Sequence, residues 1–151
     1  MNHRKRRGGL GHNRSYRRCL IANMLKSLIG YGRIEITLAQ AKELRRHADR
    51  LITLAKKGTL ACRRDVIAKL MVRHNPLSSK EARMAKGGNL SPYNLDRLVV
   101  RKLFDEIVPR FGERHGGYTR IVRTKRRRGD GSLQCVLEYL QGAQPVASEE
   151  A

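Results

Sequence analysis

The feature that most restricts how this chain can fold is its excess of positive charge. The 151 residues contain 33 Lys and Arg against 13 Asp and Glu, which leaves a formal net charge of +20. A compact domain with this charge repels itself unless a polyanion neutralises it. Because 40% of the residues are hydrophobic, the chain can still build a core. We therefore expect a folded domain whose first candidate partner is a nucleic acid.

The length predicts one domain with extensions at both ends. Residues 1–34 carry nine Lys or Arg and no acid, and residues 1–13 show no hydrophobic period, so we predict a flexible basic arm over 1–13. Residues 14–140 are predicted to form a single globular domain, within which 74–94 is a breaker-rich connecting loop. Residues 141–151 lack Lys, Arg and any period and are predicted to be a disordered tail.

Hydrophobic periods predict an α/β domain with about four helices around a small three-stranded sheet. Thr37 and Gln40 have the spacing of a capping box, and Gly58 followed by Thr59 predicts the end of one helix and the cap of the next. Lys125–Ser132 is predicted to be the basic tip of a hairpin. The predicted helices span 14–30, 38–55, 60–71 and 92–108, and the predicted strands span 33–37, 118–124 and 134–140.

The sequence contains no recognisable arrangement of catalytic or metal-binding residues. Its five histidines are scattered singly, and neither Cys-x-x-Cys nor His-Glu-x-x-His occurs. Asp105 and Glu106 are adjacent on a predicted helix and so do not share a face. Cys19, Cys62 and Cys135 each stand in an apolar pattern and are interpreted as reduced core residues. We expect no catalytic residue, cofactor, metal or small-molecule substrate, and no stretch is apolar enough to predict a membrane span.

Positive charge instead concentrates in clusters that folding does not require. Arginine suits phosphate recognition because its planar fork donates two hydrogen bonds. A solvated helix face is the alternative for Arg45–Arg46 and for Arg63–Arg64, whereas the acid-free arm and the run Lys125–Arg128 fit that alternative poorly. These clusters predict a surface that binds a polyanion.

Folded RNA fits the predicted elements better than DNA does. The two helices around Gly58 have the outline of a DNA-reading pair, but Ala61, Cys62, Arg63 and Arg64 stand where base-reading side chains would lie. The predicted sheet also lacks the paired aromatics of a reader of single-stranded RNA. An arm with dispersed basic loops is typical of proteins that fit folded RNA by shape and phosphate contacts. A basic DNA-binding or nucleoid-associated module is the alternative.

Two long motifs then indicate a family. The first is Ile34-x-x-Thr37-x-x-x-Ala41-Lys42-Glu43-Leu44-Arg45-Arg46, followed by Asp49-x-Leu51-Ile52-Thr53-Leu54-Ala55-Lys56. The second is Pro109-Arg110-Phe111, Arg114, Gly116-Gly117-Tyr118-Thr119-Arg120-Ile121 and Gly129-Asp130. With Met1-x-His3, Leu10, Arg17 and Asn23-Met24, these motifs resemble the bacterial-type large-subunit ribosomal protein seventeen family over roughly residues 1–73 and 95–140.

The resemblance implies an α/β domain with a small mixed sheet and a structural, non-catalytic role without a cofactor. It implies binding to large-subunit ribosomal RNA near the peptide exit region, beside neighbouring large-subunit ribosomal proteins, in a ribosome of the cytoplasm or of an organelle. The segment 74–94 looks like an insertion relative to shorter members. Together, the clusters and the motifs predict these RNA-binding residues: His3, Arg4, Lys5, Arg6, Arg7, His12, Asn13, Arg14, Arg17, Arg18, Arg45, Arg46, Arg63, Arg64, Arg114, Arg120, Lys125, Arg126, Arg127 and Arg128.

Overall fold

The computed structural model describes residues 10, 11 and 13–140. Most of the predicted arm and the whole predicted tail, 141–151, lie outside these residues. Within them the chain forms five helices and three strands, in agreement with the predicted fold class. The elements are α1 (Arg14–Tyr31), β1 (Arg33–Thr37), α2 (Leu38–Lys56), α3 (Leu60–Leu70), α4 (Ser79–Lys86), α5 (Leu95–Lys102), β2 (Thr119–Arg126) and β3 (Leu133–Tyr139).

The three strands form one sheet in the order β1-β3-β2, and both pairs are antiparallel. Ile36 lies opposite Cys135, and Ile121 lies opposite Leu137. The prediction of a mixed sheet is therefore wrong in its pairing. Strands β1 and β2 do run in the same direction, but β3 lies between them, so no two parallel strands are neighbours.

Local sequence signals set several helix ends as predicted. The Thr37 N–H donates to Gln40 Oε1 at 3.2 Å, which is one half of the predicted capping box at the start of α2. Thr59 Oγ1 accepts from the Cys62 N–H at 3.3 Å and caps α3. At the end of α1, Gly32 adopts φ +76°, a left-handed conformation that favours glycine. Helix α1 consequently stops before β1 begins.

The core lies between α1, α2, α3, α5 and the inner face of the sheet. It contains the predicted stripes of α1 and α2, including Leu28, Leu44 and Leu51, which are fully buried. The sheet contributes Leu137, and Phe111 packs edge-to-face against Tyr118 with ring centroids 5.2 Å apart.

The three cysteines are reduced but differ in burial. Cys135 is buried, Cys62 is half-buried and Cys19 is exposed, so the core assignment of Cys19 is wrong. Cys19 lies on the outer face of α1, next to the buried stripe in sequence but not in space. Burial, with the negative charge of Glu35, raises the pKa of the Cys135 thiol.

Helix α5 begins and ends differently from the prediction. Its N-cap is Asn94, whose side chain accepts the Arg97 N–H at 3.0 Å, and not Ser91 before Pro92. Asn94 is held in place by donating to the Arg73 carbonyl at 2.6 Å. At the other end, a π-helical turn over Leu103–Ile107 carries the helix past Pro109 to Arg110. Pro109 has no N–H to donate to a carbonyl of the preceding turn. The π-helical turn changes the hydrogen-bond pattern of the helix just before this proline.

The connection 74–94 is ordered by its own contacts. Helix α4 begins with a capping box in which the Ser78 N–H donates to Glu81 Oε2 at 2.8 Å. These hydrogen bonds lower the pKa of Glu81. Asn75 ties the two ends together, because it donates to the Pro92 carbonyl at 2.8 Å and accepts from Arg97 Nε at 3.0 Å. The segment is thus fastened to the start of α5.

Candidate nucleic-acid interface

The predicted RNA-binding residues that the structure describes divide into two groups. Seven have a structural partner within the protein. Asn13 Oδ1 caps α1 by accepting the Tyr16 N–H at 2.9 Å. The other six contacts are Arg45 with Asp49, Arg46 with Glu43, Arg63 over the Phe104 ring, Arg114 with the Gly116 carbonyl, Arg120 with Glu138 and Arg127 with Asp130.

In a second group, the side chains form no hydrogen bond, ion pair or ring contact with any residue in the described part of the chain. Its members are exposed and are Arg14, Arg18, Arg64, Lys125, Arg126 and Arg128. Arg17 is half-buried, and its Nε is buried with no hydrogen-bond partner among residues 10, 11 and 13–140. A buried donor without an acceptor is costly, so Arg17 needs an acceptor from elsewhere. His3–Arg7 and His12 lie outside the described residues.

The hairpin tip contains basic residues of both groups, those with a partner in the protein and those without one. Strand β2 extends through Lys125 and Arg126, so the prediction that the chain leaves the sheet at Lys125 is wrong. A register shift between Arg123 and Arg126 accommodates these two residues in the strand. The turn beyond it is closed by the Arg127 N–H, which donates to the Ser132 carbonyl at 2.9 Å. The basic run therefore continues the edge of the sheet.

Within the turn, Arg127 acts as a structural residue. Its Nε donates to Asp130 Oδ1 at 2.8 Å, its Nη2 bonds the other carboxylate oxygen, and the Ser132 hydroxyl donates to the same carboxylate at 2.8 Å. Arg127 and Ser132 together hold the pKa of Asp130 well below its ordinary value. Arg126 and Arg128 on either side have no such contact and are free to bind an anion.

A groove of about 410 Å³ opens between α1, α2 and α3. Four basic side chains line it, and Asp65 is the single acid among the lining residues. Its floor is aliphatic and includes Leu25 and Leu51. The lining residues are Arg18, Ile21, Leu25, His47, Arg50, Leu51, Asp65, Ala68, Lys69 and Met71.

Sequence reasoning found only Arg18 at this groove. It missed Arg50 and Lys69, and it treated His47 only as one of five singly scattered histidines. His47 and Arg50 are three residues apart and share a helix face, beside the buried stripe of α2. That spacing was a usable signal, but the approach of Lys69 depends on how α3 packs against α2, which no local pattern reveals. Arg45, Arg46, Arg63 and Arg64 do not line the groove.

A second groove, of about 540 Å³, lies between α1 and α5 and has a different character. Its two lysines have partners in the protein: Lys26 Nζ lies 2.7 Å from Asp96 Oδ1, and Lys102 Nζ donates to the Gly30 carbonyl at 2.7 Å. Burial alone would raise the pKa of Asp96, but the Arg73 N–H and the Lys26 ammonium outweigh it and lower that pKa. This groove offers no unpaired cation to a phosphate.

Other kinds of site are not formed by the residues described. Among them, no three His, Cys, Asp or Glu side chains come together in a way that could hold a metal ion. None of the described helices is long and apolar enough to cross a membrane.

Comparisons with known proteins agree with the motifs. A family model described as ribosomal protein L17 matches residues 20–140. The chain is 60% identical to the large ribosomal subunit protein bL17 of Chlamydia pneumoniae and 57% identical to that of Chlamydia abortus. Each alignment spans 140 residues, which is 93% of this chain and 99% of the relative. The chain therefore belongs to the ribosomal protein L17 family.

Proposed function

We propose that this protein is a structural constituent of the large ribosomal subunit that binds folded ribosomal RNA. Its role is to hold RNA and neighbouring large-subunit proteins in place rather than to catalyse a reaction. The observation that carries the proposal is the set of exposed cations without internal partners, on a chain of net charge +20 that belongs to this family. Such cations gain binding energy by releasing counterions from phosphates.

Three regions of the chain supply the RNA contacts in this proposal. The first is the N-terminal segment with the first turn of α1, where the buried Arg17 Nε can donate a hydrogen bond to an RNA oxygen. The second is the groove between α1, α2 and α3. The third is the edge of β2 with the hairpin tip, Lys125–Arg128. Because they lie on separate elements, one protein can hold several RNA segments in a fixed arrangement.

We place the protein in the ribosomes of the cytoplasm, near the peptide exit region. The relatives named above are bacterial proteins of the large ribosomal subunit, which supports the ribosomal location, and the exit region is what the resemblance of the motifs implies. The DNA-binding alternative gains no support from the helix pair around Gly58. Arg63 in its second helix lies over the Phe104 ring, 4.8 Å from the centroid, and is not presented for base reading.

Sedimentation of a cell lysate through a sucrose gradient tests the proposal. We expect the protein in the large-subunit peak at the same stoichiometry as other large-subunit proteins, and we expect it to stay there after a moderate salt wash. Its absence from that peak would overturn the proposal. Recovery with chromosomal DNA, lost on treatment with deoxyribonuclease, would favour the DNA-binding alternative.

A further inference from the structure

The groove between α1, α2 and α3 has the lining of a site for a flat ring. Its volume of about 410 Å³ falls in the range of pockets that enclose small ligands, roughly 300–1,000 Å³. Ile21, Ala68 and Met71 supply the accessible part of its aliphatic floor, whereas Leu25 and Leu51 of the same lining are almost fully buried. A phosphate gains nothing from such a floor, since it must lose water there. The face of a nucleobase, in contrast, packs well on apolar side chains.

The cations stand around this floor. Arg18 comes from α1, Arg50 from α2 and Lys69 from α3, and all three are exposed. None of these three side chains forms a hydrogen bond or ion pair with another described residue. A base that enters the groove brings a phosphate on each side, and cations on three separate helices can reach both. The arginine planes can also stack on the base.

Asp65 distinguishes this groove from a simple phosphate site. A carboxylate repels phosphate, yet Asp65 lines the groove and has no ion pair with any described residue. Carboxylates accept hydrogen bonds from the amino groups of bases. Guanine, adenine and cytosine carry such groups on the edge used for base pairing. Uracil carries one N–H between two carbonyls there, so a carboxylate that accepts this N–H also lies close to the carbonyl oxygens and is repelled by them.

We propose that this groove binds one unpaired nucleotide of the ribosomal RNA, with Asp65 selecting a base that carries an amino group. The base lies on the aliphatic floor, and its flanking phosphates contact Arg18, Arg50 and Lys69. A paired base cannot enter, because it is stacked inside its helix. The inference rests on the proposed ribosomal RNA binding and names the kind of nucleotide that this part of the surface recognises.

Chemical footprinting on isolated large-subunit ribosomal RNA with the full chain tests the inference. Dimethyl sulfate reports unpaired adenine and cytosine, and kethoxal reports unpaired guanine. The wild type should protect one such base that Ala68→Phe, which fills the groove, leaves reactive. Ala68→Phe should also bind about tenfold more weakly, the effect of losing one stacked base. Ala61→Phe is the matched control, since Ala61 is exposed on the same helix but does not line the groove.

A second variant tests the role of Asp65 without changing the volume of the groove. Replacing the protected nucleotide by uridine should weaken binding of the wild type about tenfold, and Asp65→Asn should reduce that difference. Equal binding of uridine by the wild type would overturn the selection by Asp65.

The groove inference and the proposed function fail in different ways. If the wild type binds the RNA and Ala68→Phe gives the same footprint and affinity, the groove inference is overturned while RNA binding stands. The same holds if Ala68→Phe keeps the footprint but large subunits that carry it lose a neighbouring protein, because the groove would then hold a peptide. A wild type that does not bind the RNA would overturn both.

Discussion

At the scale of single residues, Asp49 joins α2 to the start of β2. Its Oδ1 accepts the Tyr118 N–H and the Thr119 hydroxyl, both at 3.2 Å, while Arg45 lies 4.0 Å from the other carboxylate oxygen. Tyr118 and Thr119 are buried, so their donors have no water to replace the carboxylate. Asp49 therefore satisfies polar groups inside the fold rather than serving the surface.

We predict that Asp49→Ala destabilises the protein. Leaving the two buried donors of Tyr118 and Thr119 unsatisfied should lower the free energy of unfolding by about 1–3 kcal/mol. Urea denaturation measures this change. Asp105→Ala is the control, because Asp105 forms an exposed pair with Arg101 and its removal should change the free energy by less than about 0.5 kcal/mol. Equal effects of the two substitutions would contradict the role given to Asp49.

Asp96 gives a prediction about pH. Its pKa is lowered from 3.8 in the folded protein, so the carboxylate stabilises the fold above that pH and loses its contribution as the pH falls below it. We expect Asp96→Asn to be less stable than the wild type by about 1–2 kcal/mol near neutral pH. The difference should shrink as the pH is lowered through 3.8. Denaturation series at several pH values measure it, and a constant difference would refute the assignment.

Residue roles were predictable from the sequence where both partners are close along the chain. Thr37 and Gln40 are three residues apart, and their hydrogen bond was predicted. Asp49 and Tyr118 are 69 residues apart, and their hydrogen bond exists only because the hairpin packs on α2. The role of Arg127 was missed for a different reason. A basic run looks uniform, and only the turn geometry shows that one member bonds Asp130.

At the scale of elements, the hairpin tip carries four basic side chains in a row. One of them, Arg127, stabilises the turn that presents the other three. Strand β2 is an edge strand, and Lys125, Arg126 and Arg128 are exposed along its end and the turn. Charged side chains on an edge strand prevent pairing with a second sheet. The same side chains can contact an RNA backbone, while Arg127 keeps the turn closed through Asp130.

We predict that Arg126→Gln combined with Arg128→Gln leaves folding intact and reduces occupancy in large subunits. The two side chains are exposed and form no hydrogen bond or ion pair with a described residue, so the melting temperature should stay within about 2 °C of the wild type. Co-expression with the wild type and mass spectrometry of isolated subunits measure the occupancy ratio. A ratio of one would remove these arginines from the RNA interface.

Arg127→Gln is the matched comparison for the hairpin. It removes one positive charge, as each of the other substitutions does, but it also breaks the contact with Asp130. Amide hydrogen exchange at Gly131 and Ser132 should therefore accelerate in Arg127→Gln and not in the double variant. Unchanged exchange in Arg127→Gln would contradict the structural role of this arginine.

Element types followed from sequence periods more closely than element ends did. The strand 33–37 was predicted with its observed bounds, and the helices α1 and α2 within two residues of theirs. The start of α5 was misplaced because Asn75 and Arg73, from the far side of the connection, decide which residue becomes the cap. The groove between three helices was out of reach, since helix packing brings its residues together.

At the scale of the whole molecule, the charges fall into two functional sets. Some arginines neutralise nearby acids, as in the pairs of Arg101 with Asp105 and Arg110 with Glu106. Others form no ion pair with an acid in the described part of the chain and leave an unbalanced positive surface. Only the second set releases counterions from phosphates without first breaking a contact in the protein. We therefore assign RNA binding to this set.

Two quadruple variants of equal charge test this assignment most directly. One replaces Arg18, Arg50, Arg126 and Arg128 by Gln, and the other replaces Arg46, Arg101, Arg110 and Arg120, which have acidic partners. The measurement is the slope of log affinity for large-subunit ribosomal RNA against log salt concentration. We predict that the first variant loses about 3 from the magnitude of this slope, as expected for four phosphate contacts, and that the second keeps the wild-type slope. Equal losses in the two variants would show that net charge alone governs binding and would contradict the account.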